Sequence, residues 1–178
     1  MVIDPEKIAW YLAQAAAAPD SDTQGKTYET LIEYLFGAIP DCITERNISN
    51  PFRTEQVDVA VGHAGTYGLM GVLPGTFLVE CKDWDTPVSS KEVGYFLNIL
   101  QGRNIQFGIL IAANGITGTP MDLSHSNALG ISAAPRGTNL IVLTNKDLLS
   151  IRSVDDLVEK VCRLYLRAMA SGGIGVTV

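Results

Sequence analysis

Histidine and cysteine are scarce in this 178-residue chain, which has two of the first and three of the second. His63 and His125 have no partner at metal-ligand spacing, so the common His/Cys zinc centres are excluded. Both are expected to be ordinary surface or helix-face residues. Cys42, Cys81 and Cys162 form no close pair, and their odd number argues against a disulfide framework. They read as small buried residues, and no Ser or Cys nucleophile with a His base can be assembled. No stretch approaches the roughly 18 uninterrupted apolar residues of a membrane span. The N-terminal MVIDPEKIAW carries acids and a helical pattern where a signal peptide would have a basic and then an apolar run.

Basic residues are in the minority. Thirteen Lys and Arg stand against 19 Asp and Glu, a net charge of -6. A non-specific nucleic-acid coat would show a basic face, and this balance counts against one. An enzyme acting on nucleic acid is still compatible, because a carboxylate cluster that binds a divalent metal adds negative charge of its own. Low-complexity tracts, internal repeats and interdomain linkers are also missing. With 47% hydrophobic and 18% charged residues, the composition is that of one globular domain over residues 1–178. The expectation is a soluble, reduced, cytoplasmic protein with no membrane partner and no small-molecule cofactor.

What is present is a clear alternation of patterns. Residues 5–18 are rich in strong helix formers, with Pro5 where a first turn tolerates it. "PDSDTQG" then reads as a loop. A second helix from about Lys26 to Ala38 puts Tyr28, Leu31, Ile32, Leu35 and Phe36 on one face. Glu29 borders that face and Glu33 points further round towards solvent. "ERNIS" is a weak strand, whereas "TEQVDVAVG" alternates Val57, Val59 and Val61 against Asp58 and Ala60. A Gly-rich connection leads to the strand "TFLVECKDW", expected to pair with it as a hairpin and bring Asp58 near Glu80.

A helix over about Ser90 to Leu100, a buried strand in "FGILIAAN", a helix over 120–133 and a strand in "NLIVLT" follow. A helix over 153–170, with Ser153 as N-cap, closes the pattern, and "SGGIGVTV" reads as a loose tail. The order implies a mixed α/β fold, a three-stranded meander followed by alternating helices and strands. The core lies at about 24–150, and the first and last helices are additions.

"GKT" at Gly25–Thr27 has the ending of a phosphate-binding loop but not the rest of it. The position that must be glycine, five residues before Gly25, is Asp20. Glu29, Asp58, Glu80 and Lys82 carry more. In a strand Glu80 and Lys82 share one face and Cys81 lies on the other. Carboxylates set in apolar strands are costly unless paired or bound to a cation. Hard oxygen donors of this kind suit Mg²⁺ or Mn²⁺. The residues alone leave three readings. One is a metal-dependent nuclease, another a binding or assembly module without catalysis. The third is an α/β domain whose Glu80 and Lys82 form a surface ion pair.

"GKTYE" opening a helix, "QVDVAV", "VECKDW" and "NLIVLTNKDLL" together resemble the PD-(D/E)xK nuclease superfamily. Within it the chain is similar to the Mrr-like restriction endonucleases and archaeal Holliday-junction resolvases, over roughly Gly25 to Leu149. Val57 stands where a Pro or Gly-Ile context is common, and Glu80 where many Mrr-like members carry Gln.

The resemblance implies a restriction-endonuclease-like core, with a central mixed sheet of about five strands flanked by helices. It implies Asp58 as the acid of the first block, Glu80 and Lys82 as the acid-x-Lys pair, and Glu29 as the helix acid. Asp58, Glu80, Glu29 (directly or through a water) and the Cys81 backbone carbonyl would hold Mg²⁺ or Mn²⁺. Lys82 would act on the attacking water and the scissile phosphate. DNA would be the substrate. A homodimer is expected, since a symmetric pair cuts both strands of a duplex most simply.

Overall fold

The computed structural model describes residues 2–49, 56–82, 86–117, 129, 133 and 137–177. Helix α1 (Pro5–Ala16) starts where the Asp4 carboxylate accepts the Glu6 N–H, with Pro5 in the first turn. Helix α2 (Ser21–Gly37) starts earlier than the pattern suggested. Asp20 is its N-cap, accepting the Thr23 N–H at 2.7 Å. Most of the expected loop "PDSDTQG" is thus the first turns of a helix, and the break is confined to the residues before Ser21. Asp22 in the first turn suits the positive end of the helix dipole. Gly25–Thr27 consequently lie inside α2, so "GKT" forms no phosphate cradle.

Six strands make one sheet: β1 (Cys42–Ser49), β2 (Gln56–His63), β3 (Thr76–Lys82), β4 (Phe107–Ala112), β5 (Asn139–Leu143) and β6 (Ile174–Gly175). They lie side by side in chain order. β1 to β3 are antiparallel, as the meander required, and β3 to β6 are parallel. The fold is therefore the mixed α/β, restriction-endonuclease-like one expected.

Helices cover both faces. Val59, Val61, Phe77, Val79 and Cys81 point into a core shared with α2, α4 (Asn145–Leu149) and α5 (Val154–Ser171). Leu78, Leu110 and Val142 point into a second core under α3 (Ser90–Gly102). All six residues of β4 are buried, as a strand covered on both faces must be. At Gly108 a Cβ would strike Leu100 and Phe96, so the glycine lets α3 close onto the sheet. The helix expected over 120–133 and His125 lie outside the described residues, apart from Leu129 and Ala133, which are helical. No helix among the described residues is long and apolar enough to cross a membrane.

The tail is the main correction. Ile174 and Gly175 pair with Leu140 and Ile141 to add the sixth strand, and Ile174 is buried. Thr177 goes on to donate its hydroxyl to Asp147 at 2.6 Å. The glycine-rich composition that suggested looseness instead allows close approach. A Cβ on Gly175 would collide with the Leu164 backbone carbonyl of α5 and crowd Ile141. Gly175→Ala should therefore destabilise the protein by about 1–3 kcal/mol in urea unfolding, the usual cost of overpacking. Gly25→Ala, inside α2 with nothing within 4 Å of the new methyl, should stabilise it by roughly 0.5–1 kcal/mol.

Candidate active site

The β2–β3 register pairs Val59 with Val79, and continuing it by one residue puts Asp58 opposite Glu80. There the Asp58 carboxylate holds the strands together, accepting the Cys81 N–H at 2.8 Å. Glu80 is only 6% exposed. One of its oxygens takes Lys82 Nζ at 2.9 Å, and the other, Oε2, is buried with no hydrogen-bond partner among the described residues. Glu80 and Lys82 do share a face, and it is the face that α3 covers. A surface ion pair is thereby excluded: this pair is set at the carboxyl end of a buried strand.

The electrostatics follow from that placement. Burial, and then the nearby negative charge of Asp58, push the Glu80 carboxyl up to about 7, while Lys82 pulls it back. Burial acts the other way on Lys82. The carboxylates of Glu80, Asp58 and Glu92 outweigh it and hold the ammonium above its ordinary value. Lys82 thus stays charged, and Glu80 is the group whose charge is costly. A buried carboxylate oxygen without a donor is a place for a cation, and the Asp58–Glu80 donor set is all hard oxygen. These residues fit a divalent metal.

Glu29 is placed differently. It is buried as its position on the helix implied, but α2 packs on the opposite face of the sheet from Glu80 and Lys82. Its Oε2 accepts Arg46 Nη2 at 3.0 Å and Asn47 Nδ2 at 3.1 Å. Arg46 also reaches Glu33 at 3.2 Å and the Thr30 hydroxyl at 3.0 Å. Asn47 has a left-handed φ of 55° within β1, and the β1–β2 register sets it across from Asp58. Among the described residues, no three His, Cys, Asp or Glu side chains are grouped to hold a metal. Asp58, Glu80 and Lys82 come together, while Glu29 stands with Arg46 and touches the strand next to Asp58.

Three residues at or beside this site were not singled out from the sequence. Arg46 and Asn47 belong to "ERNIS", whose weak strand pattern hides the fact that one side chain gathers two acids. Glu92 had a readable signal. Ser89 and Glu92 form an S-x-x-E start, and the Ser89 hydroxyl accepts the Glu92 N–H at the head of α3. His63 takes no part. Its Nε2 meets the Pro74 carbonyl at 2.9 Å within the β2–β3 connection.

The arrangement separates the two acids of α2. Removing the charge of buried Glu29 leaves a half-buried guanidinium with one fewer counter-charge, whereas Glu33 is about half exposed. Glu29→Gln should cost about 1–3 kcal/mol in urea unfolding, and Glu33→Gln less than about 1 kcal/mol.

A mixed sheet whose antiparallel hairpin carries an acid on its first strand and ends its second on acid-x-Lys has the layout of the PD-(D/E)xK class. The family model Mrr_cat, described as restriction endonuclease, matches residues 22–147. The chain belongs to this restriction endonuclease family. No curated protein matches it.

Proposed function

We propose that the chain is a metal-dependent DNA endonuclease that hydrolyses phosphodiester bonds at Asp58, Glu80 and Lys82. The observation that carries this reading is the buried Glu80 carboxylate, paired on one side with Lys82 and without a donor on the other. Asp58 and Glu80 would hold Mg²⁺ or Mn²⁺, with the Cys81 carbonyl as a further oxygen donor. When bound, such an ion polarises a phosphoryl oxygen and makes a water more acidic. Lys82 keeps its proton and offers the ammonium to the attacking water and to the charge growing on the scissile phosphate. Asp58 fixes the end of β3 by accepting the Cys81 N–H, so the Glu80 and Lys82 side chains leave the strand in a set direction. Glu29 enters as the acid that fixes Asn47 beside Asp58, in place of a direct ligand. Two copies acting as a symmetric pair would cut both strands of a duplex.

The test is cleavage of linear, supercoiled and branched DNA with Mg²⁺, Mn²⁺ or EDTA. Products are expected with either metal and none in EDTA. A folded protein that cuts no form of DNA with either metal would instead be a nuclease-fold binding or assembly module.

A further inference from the structure

Strands β3 to β6 are parallel, so their carboxyl ends all open on one edge of the sheet. Lys82 ends the first of them. Along the same edge come the turn at Gly115 after β4, then Thr144 and Lys146 after β5, and Thr177 after β6. A cleft of about 300 Å³ runs here between Gly115, Thr144, Lys146 and Thr177. Thr177 also lines a second cleft of about 320 Å³, which continues over α5 past Lys160, Arg163 and Arg167. The two clefts meet at Thr177, and the first opens on the same sheet edge at which β3 ends on Lys82.

Their charge differs from that of the molecule. The chain carries -6, yet five of its thirteen cations fall between Lys146 and Arg167. The acids among them are engaged internally. The Asp147 carboxylate receives the Thr144 backbone N–H and hydroxyl, Lys160 at 3.0 Å and the Thr177 hydroxyl. Glu159 pairs with Arg163, and Asp156 accepts the Arg152 N–H. Lys146 and Arg167 are exposed and are in no ion pair among the described residues.

We infer that this groove carries the DNA backbone away from the cleavage site, its exposed cations meeting successive phosphates. The inference rests on the nuclease reading and gives it a direction. Neighbouring strands are about 4.8 Å apart, so the edge from β3 to β6 spans roughly 14 Å. At about 3.4 Å of duplex axis per nucleotide, that is about four nucleotides from the scissile phosphate to Thr177. α5 joins two parallel strands and so runs back along them, turning the path; from Lys160 to Arg167, seven residues at about 1.5 Å each, it offers roughly 10 Å, or about three nucleotides more. The protected tract should therefore lie to one side of the cut.

The experiment measures binding of the full chain to a long duplex in Ca²⁺ across salt concentrations, for wild type and for Lys146→Ala/Arg167→Ala. Both positions are exposed and outside the catalytic group, and thermal unfolding verifies that the variant folds. Two lost phosphate contacts should lower the slope of log affinity against log salt by about 1.8. Between roughly 50 and 200 mM salt the wild type should then lose about tenfold more affinity than the variant. Cleavage at saturating DNA should be unchanged. Equal slopes and affinities, with wild type cutting normally, would overturn the groove and leave the nuclease reading intact. A wild type that neither binds nor cuts DNA would overturn both.

Discussion

Lys82→Ala should lose cleavage by on the order of 10²- to 10³-fold, the usual loss when one preorganised charge aimed at a transition state is removed. It should keep most of its metal affinity, because Lys82 is a cation beside the proposed ligands and not one of them. Removing it even leaves both Glu80 oxygens open to a metal, where wild type has one engaged at 2.9 Å. Glu80→Ala and Asp58→Ala should lose metal binding and cleavage together. The comparison is calorimetric metal titration beside single-turnover cleavage for each protein. If Lys82→Ala cuts at the wild-type rate, the acid-x-Lys strand is not the catalytic centre and only the fold is shared with active nucleases.

The second large effect is on stability, and its sign is opposite to the usual one for a carboxylate. Glu80 sits near 7 in the folded chain against an ordinary value of 4.5. Its contribution is therefore fully present below about 4.5 and is lost as pH rises through about 7. The difference amounts to on the order of 3 kcal/mol. Asp147 works the other way. Burial raises its carboxyl, but hydrogen bonds from Thr177, Thr144 and Lys160 outweigh that and lower it, so its contribution is lost on acidification.

In EDTA, Glu80→Gln should be more stable than wild type at pH 8, with the advantage shrinking towards pH 4.5. Added Mg²⁺ or Mn²⁺ should stabilise wild type increasingly as pH rises, and should leave Glu80→Gln unmoved. Urea unfolding across this pH range, with and without metal, decides it. A Glu80→Gln protein less stable than wild type at pH 8 in EDTA would mean that the buried charge is satisfied without a cation.

Much of this is legible in the sequence, and the reasons are local. Val57, Val59 and Val61 announce β2 because strand side chains alternate. "FGILIA" announces β4 because a strand covered on both faces has no polar side. Glu80 and Lys82 could be put on one face from spacing alone, and the hairpin then brought Asp58 to them. What was hidden depends on contacts across the fold. Nothing in "ERNIS" says that Arg46 reaches back to Glu29 and Glu33, or that Asn47 turns left-handed opposite Asp58. "SGGIGVTV" reads as a tail because its glycines lack side chains, and that lack is what lets Gly175 pass beneath Leu164. The start of α2 was missed for a different reason. Asp20 and Asp22 are poor helix formers in mid-helix but good ones at a cap and in a first turn.

The side-by-side order of the six strands also bears on how the chain acquires its shape. Every strand finds its partner next to it in sequence, so the sheet can grow from β1 towards β6 without any segment waiting for one made much later. Loop-closure entropy is then met in short instalments, a helix-length crossover at a time. Asp58 and Glu80 belong to the early hairpin, whereas α5 and β6, which complete the opposite core and the far edge, are synthesised after it. On a ribosome the two acids would meet while still bathed in water, and the cost of enclosing them would fall on the step at which α3 closes onto the sheet.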